Sequence, residues 1–211
     1  YFDFNEEKIL SIARQASELG IEMLVLDDGW FGSRDSDNAG LGDWFVNTDK
    51  LKGGLTDLVT GINGLGMKFG IWIEPEMVNE DSRLYREHPD WALTIPGRKP
   101  CRSRNQLVLD MSRSEVRDYV FDSIAAVLKS ANVEYVKWDM NRSICDVYSA
   151  VLPKERQGEV YHRYVLGIYD LMERFTSSFP NILFEGCSGG GGRFDPAILY
   201  YSPQIWCSDD T

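Results

Sequence analysis

The run IEMLVLDDGW, residues 21–30, limits the possible folds more than any other stretch. It is apolar at nearly every position up to Leu26, so a strand built from it must be covered on both faces. Two acids and a glycine then end it. KFGIWIEPEM (68–77), VEYVKWD (133–139), NILFEG (181–186) and QIWCSDD (204–210) repeat the pattern of an apolar run with polar residues at its end. Helical periodicity fills the gaps between them. Ile9, Leu10, Ile12, Ala13, Ala16 and Leu19 make a stripe that Asn5 can cap and Gly20 can end. A second helix is expected at 55–65, closing on Gly66. A third should follow Ser112, whose spacing to Glu115 is that of a capping box. A long helix is expected at 155–178 and a short one near 195–200. YFDF at the start reads as one more short strand, making six. The polar, Gly-rich segment 31–54 reads as a long loop. Residues 78–111 read as an excursion with a strand-like LVLDM.

Alternating strands and helices with continuously apolar strands indicate an α/β fold on a parallel sheet. The pattern fits one domain over 1–211, with no linker or repeat. A doubly wound sheet and a (β/α)8 barrel both produce it. The polar residues favour the barrel. Asp27 and Asp28, then Trp72, Glu74 and Glu76, then Lys137 and Asp139, then Glu185 and Cys187, then Cys207 and Asp209 stand at successive strand ends. In a barrel all such ends meet at one mouth. In an open sheet they would lie in a row, with ligand chemistry gathered at one switch point.

The 211 residues carry 33 acids against 22 bases, a formal charge of −11. Nucleic acids and anionic membranes, which need basic patches, are therefore not expected partners. No stretch is long and apolar enough to span a bilayer. Cys101, Cys145, Cys187 and Cys207 are spread out with no CxxC pair, and read as thiols of a reducing compartment. The chain opens on Tyr1 inside a strand-like run, so a piece of a longer protein is expected.

Each feature has a plain reading when taken alone. DDGW can be a strand-ending turn. GCSGGGGR lacks the glycine order of a phosphate loop and can be a flexible turn. Trp72 can be core, Lys137 and Asp139 an ion pair, and Glu74 and Glu76 mere shapers of a strand end around Pro75. His88 and His162 have no metal-ligand spacing. Together, carboxylates, tryptophans and one lysine at a shared mouth suggest a sugar site. Aromatic faces suit a pyranose, and carboxylates accept from hydroxyls. Glycoside cleavage needs two carboxyl groups in different environments. Lys137 shares a strand face with Asp139 and favours the ionised form of that acid. Asp209, among Trp206, Cys207 and Ser208, lacks such a neighbour and suits a proton donor.

The ordered set LVLDDGW, GIWIEPEMV, VKWDMNR, EGCSGGGGRFD and WCSDDT resembles the catalytic barrel of bacterial α-galactosidases of glycoside hydrolase family 36. The resemblance covers essentially the whole chain. It implies that Asp139 is the nucleophile and Asp209 the acid/base. It implies sugar-binding roles for Asp27, Asp28, Trp72, Arg104, Lys137, Cys187, Gly189 and Gly190. The family fold is a (β/α)8 barrel between an N-terminal β-sandwich and a C-terminal β domain. Against that pattern the chain corresponds to about the first six β/α units. The last two strands, both flanking domains and a sugar-stacking Trp ahead of Tyr1 lie outside it.

The expected reaction is retaining hydrolysis of terminal α-D-galactosides such as melibiose and raffinose. Asp139 attacks the anomeric carbon, Asp209 protonates the leaving oxygen, and water then releases galactose. The two carboxyl groups are expected roughly 5–5.5 Å apart. No metal or organic cofactor is needed. The resemblance further implies a homo-oligomeric parent, with the tetramer as the expected form, and a bacterial cytoplasmic location. Three rivals remain at this level: galactosyl transfer or an N-acetylgalactosaminide as substrate, a divalent-metal isomerase barrel, and a non-catalytic sugar-binding barrel.

Overall fold

The computed structural model describes residues 2–210. In chain order the strands are β1 (Met23–Leu26), β2 (Lys68–Ile73), β3 (Met77–Val78), β4 (Leu107–Val108), β5 (Tyr135–Trp138), β6 (Leu183–Gly186) and β7 (Gln204–Ile205). The α-helices are α1 (Glu6–Glu18), α2 (Gly54–Asn63), α3 (Arg83–Glu87), α4 (Ser114–Lys129), α5 (Val160–Ser178) and α6 (Pro196–Tyr201). Five strands form one parallel sheet in the order β1-β2-β5-β6-β7. Each new strand adds on the same side, and the order never reverses. A doubly wound sheet needs such a reversal. Strands β3 and β4 pair antiparallel in a ribbon of their own and root the 78–111 excursion.

The parallel strands number five among the described residues, not the six expected. Residues 2–5 form no strand, and Tyr1 lies outside the described residues. The aromatic rings of that segment serve cations instead. Arg34 lies over the Phe2 ring at 5.5 Å, and Lys50 over Phe4 at 5.1 Å. The expected strand 204–210 is also shorter. Only Gln204 and Ile205 pair with β6, and the Trp206 N–H adds one bond to the Gly186 carbonyl at 3.0 Å before the chain leaves the sheet.

Asn5 caps α1 as its sequence position suggests, its Oδ1 accepting from the Lys8 N–H at 2.9 Å. The buried stripe of α1 is narrower than expected, because Ile12 and Leu19 face outward. Leu10 instead packs against α2 at Gly61, where a Cβ would stand 2.8 Å from Leu10 Cδ2. The capping box before α4 does not form. Ser112 Oγ donates to Asp110 Oδ1 at 2.5 Å, and Glu115 accepts from Arg113 Nε at 2.8 Å. The helix therefore starts without a side-chain cap. A 3-10 turn, Lys154–Glu159, leads into α5.

Strand alternation divides the sheet's two faces. Phe69, Ile71, Ile73, Val136, Trp138 and Phe184 line the helix side and are all buried. Trp138 meets Phe175 of α5 edge-on, with centroids 5.7 Å apart. Burying each such side chain contributes about 1.5–3 kcal/mol. The other face carries the register row Trp72, Lys137, Glu185 and Gln204. Gly70, one pair of residues earlier, leaves room for Tyr135, since a Cβ there would stand 2.9 Å from Tyr135 Cβ.

Candidate active site

Asp27 follows Leu26, which pairs with Ile71, so it stands level with Trp72 just past the end of β1. Two residues further along the same face come Glu74, Asp139 and Cys187. The ladder continues into this second row. The Asp139 N–H donates to Ile73 O at 2.8 Å, and the Cys187 N–H to Trp138 O at 2.8 Å. Two rows of polar side chains thus face one way at the C-terminal end of the sheet.

Asp139 is buried at the centre of this array. Its Oδ2 accepts from Trp72 Nε1 at 3.0 Å and from Asn141 Nδ2 at 2.7 Å. Its Oδ1 accepts from the Met140 N–H at 2.9 Å. Three N–H donors therefore fix the carboxylate's plane. Lys137 was expected to favour the ionised form of Asp139 from the same strand face. Its closest carboxylate contact is instead Asp27 Oδ2, at 3.3 Å. Burial works against the Lys137 ammonium. The charges of Asp27 and Asp139 help to outweigh it and hold its pKa above the ordinary lysine value. Lys137 therefore reaches Asp139 as a neighbouring charge and Asp27 by a bond. Its ammonium also lies over the Trp206 ring, 4.6 Å from the centroid.

Asp209 is exposed, and its Oδ1 accepts from Trp206 Nε1 at 2.9 Å. Trp206 thus links Asp209 to Lys137. The glycine run holds the same segment from the other side. Gly190 sits at φ +86°, and a Cβ there would lie 3.0 Å from Ser208 Cα. The Gly191 N–H donates to Cys207 O at 3.0 Å. Gly189 also has a positive φ, of +53°. Burial, and then its hydrogen bond to Asp139, push the Cys187 thiol up to about 12. That thiol stays protonated at neutral pH and acts as a donor.

Asp28 is buried in a two-pronged pair with Arg34, at 2.9 Å from Nε and 2.7 Å from Nη2. Arg104 is half-exposed, with Asp37 3.9 Å away. It sits in a tight turn in which Arg104 and Asn105 have φ of +50° and +58°. Non-glycine residues held there mark a strained, over-determined turn. Trp72 is buried, stacked at 6.2 Å on Phe31 and donating to Asp139. Its ring edge serves the carboxylate directly.

Sequence reasoning gave no role to Asn141, Trp206, Arg34 or Glu74. The signal for Asn141 was present, since it continues the two-residue alternation of Lys137 and Asp139. Glu74 is fully buried. Its Oε1 accepts from the Asn141 N–H at 2.6 Å and its Oε2 from Gln106 Nε2 at 3.0 Å. Burial first, then the charge of Asp139, push its pKa up to about 8. Beside Asn141 a cleft of about 430 Å3 opens between Ser143, Tyr161, Ser188 and Arg193. Among the described residues, no group of three or more His, Cys, Asp and Glu is placed to hold a metal ion, and no helix is long and apolar enough to cross a membrane.

A family profile described as Melibiase matches residues 1–211. The bifunctional alpha-galactosidase/sucrose kinase AgaSK of Mediterraneibacter gnavus is 61% identical over 100% of this chain and 22% of its own length. Alpha-galactosidase AgaA of Geobacillus stearothermophilus is 61% identical over 100% of this chain and 29% of its own. The crystal structure of AgaA, a GH36 alpha-galactosidase, superposes with a TM-score of 0.98 over 100% of this chain and 29% of that one. A variant of AgaA in complex with raffinose is 60% identical over the same shares, also with a TM-score of 0.98. The chain therefore spans less than a third of the length of these curated relatives.

Proposed function

The chain belongs to the melibiase family, and from that premise we propose that it is part of the catalytic domain of an α-galactosidase. The reaction is hydrolysis of terminal α-galactosides, with raffinose-type oligosaccharides as substrates. That choice draws on the raffinose and stachyose complexes of AgaA variants. The single observation that carries the chemistry is the setting of Asp139. It is a buried carboxylate, fixed by three N–H donors, on a sheet face shared with Lys137 of its own strand, Cys187 past the end of β6 and Asp27 past the end of β1.

A nucleophile in a retaining glycosidase must present one oxygen to the anomeric carbon while its other contacts stay fixed. The donors from Trp72, Asn141 and Met140 suit that demand. Asp209 is the acid/base, held toward the site by Trp206 and the Gly190–Gly191 backbone. It protonates the leaving oxygen and then deprotonates the water that opens the galactosyl-enzyme. Asp27 and Lys137 bind ring hydroxyls as a coupled pair. An epimer with its hydroxyl misplaced would leave that pair desolvated and unsatisfied, a penalty on the order of a few kcal/mol. Asp28 is shared between the sugar and Arg34, so Arg34 sets its orientation.

The single-wound order of the sheet and its two unclosed edges favour a (β/α)8 barrel in the whole protein. Five of its strands lie among the described residues, and three more would close β7 back to β1.

The test is Asp139→Ala in the full-length enzyme with an activated aryl α-galactoside. Turnover is lost, and added azide restores it with formation of the β-galactosyl azide. Unchanged turnover, or an α-configured azide product, contradicts the assignment.

A further inference from the structure

Glu74 is a fully buried carboxyl that the double-displacement steps leave without a task. It nonetheless stands in the same polar row as Asp139 and Cys187. Its two oxygens point to two different segments. Oε1 takes the Asn141 N–H at 2.6 Å, and the Asn141 side chain in turn donates to Asp139 Oδ2 at 2.7 Å. Oε2 takes Gln106 Nε2 at 3.0 Å. Gln106 closes the strained turn that carries Arg104, with its own N–H on Ser103 O at 3.0 Å. One carboxyl therefore joins the loop after β5 to the 103–106 turn.

The geometry points to Glu74 as a positioning residue of the nucleophile: it fixes Asn141 so that the Asn141 amide aims Asp139. This inference rests on Asp139 being the nucleophile of an α-galactosidase. Two further observations support it. The charged groups facing Glu74 are Asp139 from the end of β5 and Arg104 from the turn, while Asn141 and Gln106 are neutral. Burial and the Asp139 charge together favour a proton on Glu74 up to about pH 8. A neutral Glu74 can support Asn141 without placing a second anion beside the nucleophile. In addition, Gln106 Oε1 is buried with no partner among the described residues. A half-turn of that amide would offer this oxygen to a protonated Glu74, so Gln106 can answer either state of the carboxyl.

A residue that aims the nucleophile acts on the transition state and not on the bound sugar ring. In the full-length enzyme, Glu74→Ala is expected to lower kcat/KM for an activated aryl α-galactoside about 100-fold, the size of effect that a misplaced catalytic group produces. Galactose affinity should stay within threefold of wild type. Glu74→Gln, which keeps an acceptor for the Asn141 N–H, should recover at least tenfold of the loss. In an Asn141→Ala background, Glu74→Ala should add less than threefold, because its effect passes through Asn141. If Glu74→Ala does not fold, Glu74→Asp replaces it, since the shorter side chain withdraws the same acceptor.

Loss of galactose affinity in parallel with kcat/KM overturns the inference, as does a kcat/KM within threefold of wild type. Full additivity with Asn141→Ala also overturns it. Each of these results leaves the α-galactosidase reading intact, provided that wild type hydrolyses the substrate. A wild type that does not hydrolyse it overturns both.

Discussion

Glu74 and Glu76 stand two residues apart around Pro75, and both are 0% exposed. Glu76 turns to the helix side of the sheet. There it accepts from Trp138 Nε1 at 3.0 Å and Tyr164 OH at 2.5 Å, and pairs with Arg193 at 2.8 Å. Glu74 turns to the other side. Its hydrogen bonds come from neutral groups, and a like charge, Asp139, faces it. One residue type at one strand end thus serves two ends. With a cation and two further donors, a buried carboxylate joins sheet to helix. Beside another carboxylate, it holds a proton and stands in the polar row of Asp139.

The contrast breaks most visibly through Glu76. Glu76→Ala in the enzyme strands Arg193, which is largely covered by its neighbours. Removing one partner of a buried pair destabilises by about 3–5 kcal/mol. Denaturant unfolding of wild type and variant measures it. A loss below about 1 kcal/mol would mean that Glu76 is no more structural than Glu74.

The pH dependence of stability sharpens the comparison from the Glu74 side. Burial and the neighbouring Asp139 charge push the folded pKa of Glu74 up to about 8, from the ordinary 4.5. The native state therefore keeps a proton that the unfolded chain releases. This contribution is complete below about pH 4.5 and is lost as pH rises through about 8. The loss is on the order of a few kcal/mol. Comparing unfolding free energies at pH 5 and pH 8.5 should show wild type losing this much relative to Glu74→Gln. An equal pH dependence for the two would place Glu74 on the same footing as a paired carboxylate.

The smallest expected effect lies at the glycine run. Gly190→Ala meets Ser208 Cα at 3.0 Å and a φ of +86°, so it should destabilise by about 1–2 kcal/mol. It should also displace the segment carrying Asp209. Turnover of raffinose, whose leaving group needs a proton, should then fall more than turnover of an activated aryl galactoside. Equal losses on both substrates would separate Gly190 from the proton-donor role proposed for Asp209.

The parallel sheet and the face carrying the site were legible because strand alternation is short-range. Asp27, Trp72, Lys137, Asp139 and Cys187 reach one face by counting in twos from apolar runs. What stayed hidden depends on partners distant in sequence. Nothing local says that Lys137 bonds Asp27 across 110 residues, or that Arg34 claims both oxygens of Asp28. The aromatic alternation of YFDF imitates a strand, but Phe2 and Phe4 stack under Arg34 and Lys50 from the following loop. The capping box failed because the Ser112 N–H donates to Asp110 Oδ1 at 3.1 Å, while the Glu115 carboxylate takes Arg113 instead. Glu74 looked like a strand-end shaper because its environment is built by Asn141 and Gln106, neither of which adjoins it in sequence.

The central claim is that Asp139 forms the covalent galactosyl-enzyme. A 5-fluoro-α-galactosyl fluoride, which slows breakdown of that ester, should inactivate the full-length enzyme in a time-dependent way. Peptide mass spectrometry of the trapped protein should then place one fluorogalactosyl group on the peptide containing Asp139. A label on Asp209, Asp28 or Glu74, or inactivation with no covalent label, would contradict the account.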